Sequence, residues 1–189
     1  MNRSVLRAFI AIYPTQKALS ELRKQCNLLP NESLDESLRW LPSKNWHITL
    51  KFLGNVDRHQ LDHLNKPLNC WLTKQSAVEI QLTSIGWFPN RRKASVLAAV
   101  AEDNCHLNHL EMGVNRLVTG QKDAIEDKPF RPHLSLARCR QKPPQITDTI
   151  FPLSISPITF TATQVDLVWS QTFPEGAVYT KLASYPLLT

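Results

Sequence analysis

Two short stretches constrain this chain more than anything else in it. They are Asn45-Trp46-His47-Ile48-Thr49-Leu50-Lys51-Phe52 and, in the second half, Arg131-Pro132-His133-Leu134-Ser135-Leu136-Ala137-Arg138. Both read His, apolar, hydroxyl, Leu. Polar and apolar residues alternate in each, which is the period of a half-buried strand. Side chains two apart on a strand share a face. His47, Thr49 and Lys51 should therefore point one way, and Ile48, Leu50 and Phe52 the other, into a core. His133 and Ser135 should share a face in the same manner, opposite Leu134 and Leu136. An imidazole and a hydroxyl about 6.5–7 Å apart along one strand form a usable half-site for a phosphate. Two such half-sites facing each other would supply an acid, a base and two hydroxyl donors.

The rest of the chain supplies elements to hold these strands. Val5 to Tyr13 reads as a strand, followed by a helix from Pro14-Thr15 to about Leu28 with Leu19, Leu22 and Cys26 on one face. Residues 31–44 are polar and turn-rich and read as a loop into the first motif strand, 46–53, which Gly54-Asn55 should close. Asp57 can cap a helix carrying Leu61, Leu64, Leu68 and Trp71, and Pro67 should kink or shorten it. Val78 to Ile85 alternates like a strand, Phe88 to Ala94 reads as a loop, and Ser95 to Ala101 as a strand buried on both faces. Asn104 caps a helix that Gly120 ends, and 121–129 is a charged loop. The second motif strand, 132–139, breaks at Lys142-Pro143-Pro144. Ile158 to Ser170 and Ala177 to Tyr185 close the chain as a hairpin around Phe173-Pro174-Glu175-Gly176. The order β-α-β-α-β-β-α-β-β-β predicts an α+β fold with antiparallel sheets. A loose β-α-β recurrence around each motif suggests two pseudo-symmetric lobes.

These residues resemble the 2H phosphoesterase superfamily, named for two His-x-(Thr/Ser)-x motifs. They are most similar to its bacterial and archaeal branch, the RNA 2′,3′-cyclic phosphodiesterases, also called 2′-5′ RNA ligases. The resemblance takes in Arg39-Trp40, His47 to Gly54, Gly86-Trp87-Phe88-Pro89, Phe130 to Arg138 and the closing strand from Tyr179 to Leu187. One His-x-Thr-x is a weak signal; two in strand-like runs, with Phe-x-Pro-His before the second, are specific. Ser135 departs from the Thr more frequent in that branch; it keeps the hydroxyl and loses the methyl that stiffens χ1. The resemblance implies a single bilobal domain over residues 1–189, each lobe an antiparallel sheet with helices outside, around a central cleft. It implies hydrolysis of terminal 2′,3′-cyclic phosphates on RNA to 2′-phosphates, with a weak reverse 2′-5′ ligation. His47 would be the proton donor and His133 the acceptor. Residue chemistry alone leaves that polarity open, since the roles exchange in the ligating direction.

Histidine titrates near pH 6.5, so a pair can share one proton at neutral pH and needs no metal. The hydroxyls of Thr49 and Ser135 can donate to phosphate oxygens. Arg138 closes the second motif, as it does in the relatives, where it can assist the phosphate. Strict alternation puts it on the core side, and only a strand end or bulge would swing it to the cleft. Arg131 has cleft parity unless Pro132 resets it, and Phe52 has core parity. Arg91-Arg92-Lys93, beside Trp87 and Phe88, either holds an RNA backbone or is an ordinary solvated turn. His59 and His63 have the spacing of a zinc helix, but position 60 is Gln, so they read as a solvated face. His106 and His109 lack a matching ligand set and read the same way. No metal or cofactor is expected.

The 189 residues carry a net charge of +6, which favours a polyanionic partner such as RNA. The four cysteines are widely spaced, with no Cys-x-x-Cys, and read as reduced thiols of a cytoplasmic monomer. The apolar run Ala8 to Tyr13 is too short for a signal peptide, and no 18-residue apolar stretch exists to span a membrane. Two rivals stand beside the RNA reading. One is a phosphodiesterase for a small nucleotide, such as a 2′-5′ oligonucleotide or ADP-ribose cyclic phosphate. The other is an RNA- or nucleotide-binding module without turnover.

Overall fold

The second motif lies in one strand, His133–Cys139, and the first in another, Ile48–Asp57, with His47 one residue ahead of it. In the computed structural model, which describes residues 5–29, 37–120, 129–140 and 152–189, the two are neighbours in one antiparallel sheet. In chain order the elements are β1 (Val5–Ile12), α1 (Gln16–Asn27), β2 (Leu38–Trp40), β3 (Ile48–Asp57), α2 (Arg58–Leu72), β4 (Val78–Phe88), β5 (Val96–Ala101), α3 (Cys105–Thr119), β6 (His133–Cys139), β7 (Leu153–Ala162), β8 (Gln164–Phe173) and β9 (Gly176–Pro186). Short 3₁₀ turns occupy Ser43–Asn45 and Arg91–Lys93.

The strand order is β7-β4-β5-β6-β3-β1-β8-β9, with β2 added beside β6. β3 and β6 meet through one pair, Ile48 opposite Leu134. That pair divides the curled sheet into two four-stranded lobes, β7-β4-β5-β6 and β3-β1-β8-β9, with a motif strand at the inner edge of each. The fold is α+β, as the alternation predicts. Ile48, Leu50, Leu134 and Leu136 are buried among Leu22 of α1, Leu61 and Leu68 of α2, and Leu107 and Leu110 of α3. Full burial of such a side chain contributes about 1.5–3 kcal/mol. The helices therefore cover the face opposite the motif histidines and hydroxyls. Their ends follow the local signals. Thr15 caps α1, Asp57 and Gln60 form a capping box on α2, Asn104 caps α3, and Gly120 ends it at φ 64°.

Several elements depart from the sequence reading. Part of the expected loop 31–44 is the strand β2, too short for its alternation to register and held by pairing with β6; residues 31–36 lie outside the described set. β3 runs through Gly54, at φ 69°, to Asp57 instead of stopping at Gly54-Asn55. β4 extends past Ile85 to Phe88. Pro67 does not shorten α2, whose buried Leu61, Leu68 and Leu72 hold both sides of it. The expected strand Ile158 to Ser170 is two strands. β7 pairs with β4 in one lobe, and β8 pairs with β1 in the other. The charged loop at 121–128 and the Lys142-Pro143-Pro144 break fall outside the described residues.

Two irregularities decide what reaches the cleft. Between β1 and β3 the register steps from Ile10–Lys51 to Ala11–Thr49, leaving Leu50 without a partner of its own. Between β5 and β6 it steps from Leu97–Ala137 to Ala98–Ser135, leaving Leu136 in the same situation. Each extra residue directly follows the motif hydroxyl. A bulge resets which face later side chains occupy. Phe52, expected in the core, is consequently 66% exposed. Arg138, expected on the core side unless a bulge intervened, is exposed because one does.

Candidate active site

A cavity of about 890 Å³ is lined by His47, Thr49, His133 and Ser135 together. Their mutual placement follows from the Ile48–Leu134 pair. Antiparallel register sets His47 across from Ser135 and Thr49 across from His133. In that register the two histidines are diagonal neighbours, which in a regular ladder lie about 7–8 Å apart.

Both rings are held in the same way. Nδ1 of His47 donates to the Asn45 carbonyl at 2.6 Å, and Nδ1 of His133 to the Arg131 carbonyl at 2.8 Å. A carbonyl only accepts, so Nδ1 carries the hydrogen and Nε2 is the nitrogen left to the cavity. The residues offering those carbonyls are themselves tied down. Buried Asn45 donates from Nδ2 to the Ala177 carbonyl at 2.8 Å. The Arg131 guanidinium donates to the Pro89 carbonyl at 2.8 Å and lies 5.1 Å from the centre of the Phe88 ring. The His47 ring stacks on Phe9 at 4.7 Å and meets the Tyr179 edge at 5.3 Å. His133 stacks on Phe88 at 3.6 Å.

This packing removes water from both imidazoles. Burial pulls the His47 pKa down to about 4; the Asn45 carbonyl opposes the shift and the charge of a protonated His133 adds to it. Burial also holds His133 below the usual 6.5, against the Arg131 carbonyl and together with the Arg131 charge. Both shifts favour the neutral imidazole at pH 7. An arriving anion changes that balance, because negative charge beside Nε2 favours the imidazolium. Arg7, Arg39, Lys51, Arg131 and Arg138 also line the cavity, against a single carboxylate among the described residues, Glu111, which accepts from Asn115 Nδ2. The wall is strongly cationic and matches a phosphorylated ligand.

Other expected residues lie elsewhere. Arg92 is exposed outside the cavity lining, and the side chain of Arg91 lies outside the described set. Trp87 is buried rather than free to stack a base, and Phe88 already stacks on His133. His59 and His63 contact each other at 3.1 Å on an exposed face, and His106 and His109 are exposed. Among the described residues no three His, Cys, Asp or Glu side chains form a metal-sized group. The sequence reading missed Phe9 and Tyr179 beneath His47, and Arg7 and Arg39 in the wall. Phe9 sits in the run Ala8-Phe9-Ile10-Ala11-Ile12, which is too uniformly apolar to reveal a cleft face.

Comparison with known proteins agrees with this architecture. Residues 12–98 match the family model described as LigT like Phosphoesterase. An RNA 2′,3′-cyclic phosphodiesterase of Thermus thermophilus is 33% identical over 154 residues, 78% of this chain and 74% of that protein. One of Bacillus subtilis is 31% identical over 108 residues, 57% and 59% of the two chains. Among solved structures, one from Thermus thermophilus superposes with a TM-score of 0.74 at 25% identity, covering 96% of this chain and 97% of that one. Escherichia coli LigT in complex with 3′-AMP superposes with a TM-score of 0.78 at 20% identity, covering 98% and 100%. With two bulged His-x-hydroxyl strands meeting over one cationic cavity, and with these relatives, the chain belongs to the LigT-like phosphoesterases of the 2H superfamily.

Proposed function

We propose that this protein opens the 2′,3′-cyclic phosphate at an RNA end to a 2′-phosphomonoester, with His47 and His133 as acid and base. The observation that carries the reading is the pair of imidazoles in one cationic cavity, each with Nδ1 tied to a carbonyl and Nε2 left to the ligand. In the hydrolytic direction His133 Nε2 takes a proton from water as its oxygen bonds to phosphorus. The bond from phosphorus to O3′ breaks, and His47 Nε2–H protonates the departing O3′. Thr49 and Ser135 donate to the non-bridging oxygens, and Arg138 offsets their charge. With the 5′-hydroxyl of a second RNA end in place of water, the same displacement would open the cyclic phosphate into a 2′-5′ phosphodiester. The names of the relatives, RNA 2′,3′-cyclic phosphodiesterase, support this substrate over a general phosphate ester.

On this reading both lobes act as one domain, the protein is monomeric, and no metal takes part. We place it in the cytoplasm, which suits cysteines that form no disulfide among the described residues. No described helix is long and apolar enough to cross a membrane. The test is incubation with a 2′,3′-cyclic mononucleotide and with a cyclic-phosphate-ended oligonucleotide, both in EDTA. A 2′-phosphate product from the oligonucleotide is the expected result. Turnover of the mononucleotide alone would move the substrate to a small nucleotide. Turnover of neither, with product still bound, would leave a binding module. Activity lost in EDTA and restored by a divalent metal would overturn the metal-free mechanism.

A further inference from the structure

The three-residue strand β2 sets Arg39 directly opposite Arg138 of β6. Directly opposite residues of an antiparallel pair share a face, and like charges in that arrangement repel. Both side chains are exposed, and both line the cavity. Among the described residues neither guanidinium has a hydrogen-bonding or ion-pair partner. The backbone that carries Arg39 is nonetheless firmly held. Leu38 is buried beside Arg39. Arg140 donates from Nε to the Leu38 carbonyl at 3.1 Å and from its backbone to the Ser37 carbonyl at 2.8 Å. Leu41 donates to the Leu136 carbonyl at 2.9 Å. Two guanidinium groups set side by side on a cavity wall repel each other and are well suited to a shared anion, since each can grip a phosphate through two donors.

Their position names the anion. Arg138 lies three residues beyond Ser135, roughly 10 Å further along β6, and Arg39 stands beyond Arg138 across the strand pair. We propose that Arg39 and Arg138 form a second phosphate site, which takes the internucleotide phosphodiester adjoining the cyclic phosphate. Arg138 bridges the two phosphates, and Arg39 serves the outer one. The cavity therefore selects an RNA end over a mononucleotide. This rests on the phosphodiesterase reading above and adds to it the residue that measures chain length.

The test compares three 2′-phosphate-ended ligands by titration calorimetry: 2′-AMP, a diadenylate, and the same diadenylate with an uncharged methylphosphonate linkage. Cyclic-phosphate turnover of the corresponding substrates is followed in parallel. Arg39→Ala should weaken diadenylate binding about tenfold, the size of one charge-assisted contact. It should also reduce the salt slope by about 0.7, the single-strand value per phosphate. The neutral linkage should weaken wild-type binding by a similar factor. The two changes together should cost little more than either alone, because both delete one contact. Multiplying losses, or an equal loss with 2′-AMP and diadenylate, would overturn the site. A melting curve on Arg39→Ala separates misfolding from lost contact, and Arg39→Lys, which keeps the charge, should recover part of the affinity. If the binding coupling appears while wild type opens neither cyclic substrate, the phosphodiesterase reading falls and the second site stands. Turnover without the coupling would remove the second site and leave the phosphodiesterase reading in place.

Discussion

Asn45 joins two separate tasks in one residue. Its carbonyl fixes the His47 tautomer, and its amide ties that carbonyl to Ala177 on β9. The ring cannot turn without losing its bond to that carbonyl, and the Asn45 side chain cannot move without losing its bond to Ala177. Asn45→Ala should leave the Ala177 carbonyl unpaired, at about 1–3 kcal/mol of stability. It should also release the His47 ring, with kcat falling at least tenfold while 2′-AMP affinity changes little. Equal losses in kcat and in affinity would mean that Asn45 shapes the cavity rather than the ring. Arg131 mirrors this arrangement, its carbonyl on His133 and its guanidinium on Pro89. At this scale the sequence was informative about chemistry and poor about support. That His47, Thr49, His133 and Ser135 share one cavity was legible because their matched types stand out and a period-2 pattern set their face. Phe9, Tyr179 and the anchoring role of Asn45 were not, because each acts through a contact distant in sequence. An aromatic residue in a strand reads as core whichever face it takes.

A strand's alternation is a local rule, and a bulge is a fact about two strands. That is why Phe52 and Arg138 could not be placed from sequence: the extra residues Leu50 and Leu136 are visible only when β1 and β5 are laid alongside. Capping signals, by contrast, are contained in the residues that make them, and Asp57, Asn104 and Gly120 did what their types predict. The same distinction explains β2, whose place depends on β6, and the division of 158–170, whose halves serve different lobes. Helix packing on the outer face offers a test that should not touch catalysis. Gly113 of α3 lies against the ring of Trp71 on α2, where an added Cβ would overlap the indole. In an isolated helix Gly→Ala gains about 1 kcal/mol, but overpacking costs about 1–3 kcal/mol. Gly113→Ala should therefore lower Tm, and in a Trp71→Leu background the same change should raise it by about 2–4 °C. A rise in both backgrounds would mean that the indole swings aside freely.

The molecule as a whole joins two lobes, each bringing one histidine, at the Ile48–Leu134 pair. Its proton inventory follows from that arrangement. Burial pulls His47 down to about 4 and holds His133 below 6.5, so both imidazoles favour the neutral form at pH 7 before a ligand binds. In the unfolded chain both return to about 6.5. Between about pH 4 and 6.5 the unfolded state therefore binds more protons than the folded one, and stability must fall as pH drops through that window. The proposed reaction, however, requires one imidazolium. The missing proton has to arrive with the phosphate, whose charge raises the paired pKa. Binding of 2′-AMP near pH 7 should consequently take up protons, approaching one per site. Calorimetry in buffers of different ionisation enthalpy would measure it as a slope. His47→Ala and His133→Ala should each reduce the uptake, and the double variant should abolish the protein's share of it. The pair should titrate as a unit, so kcat/KM, which reports the free enzyme, should be bell-shaped with both limbs below about 6.5. The kcat profile, reporting the complex, should lie at higher pH. Proton release on binding, or kcat and kcat/KM profiles that coincide, would show that the imidazoles are already charged in the empty cavity. The desolvating rings of Phe9 and Phe88 would then have some role other than tuning them.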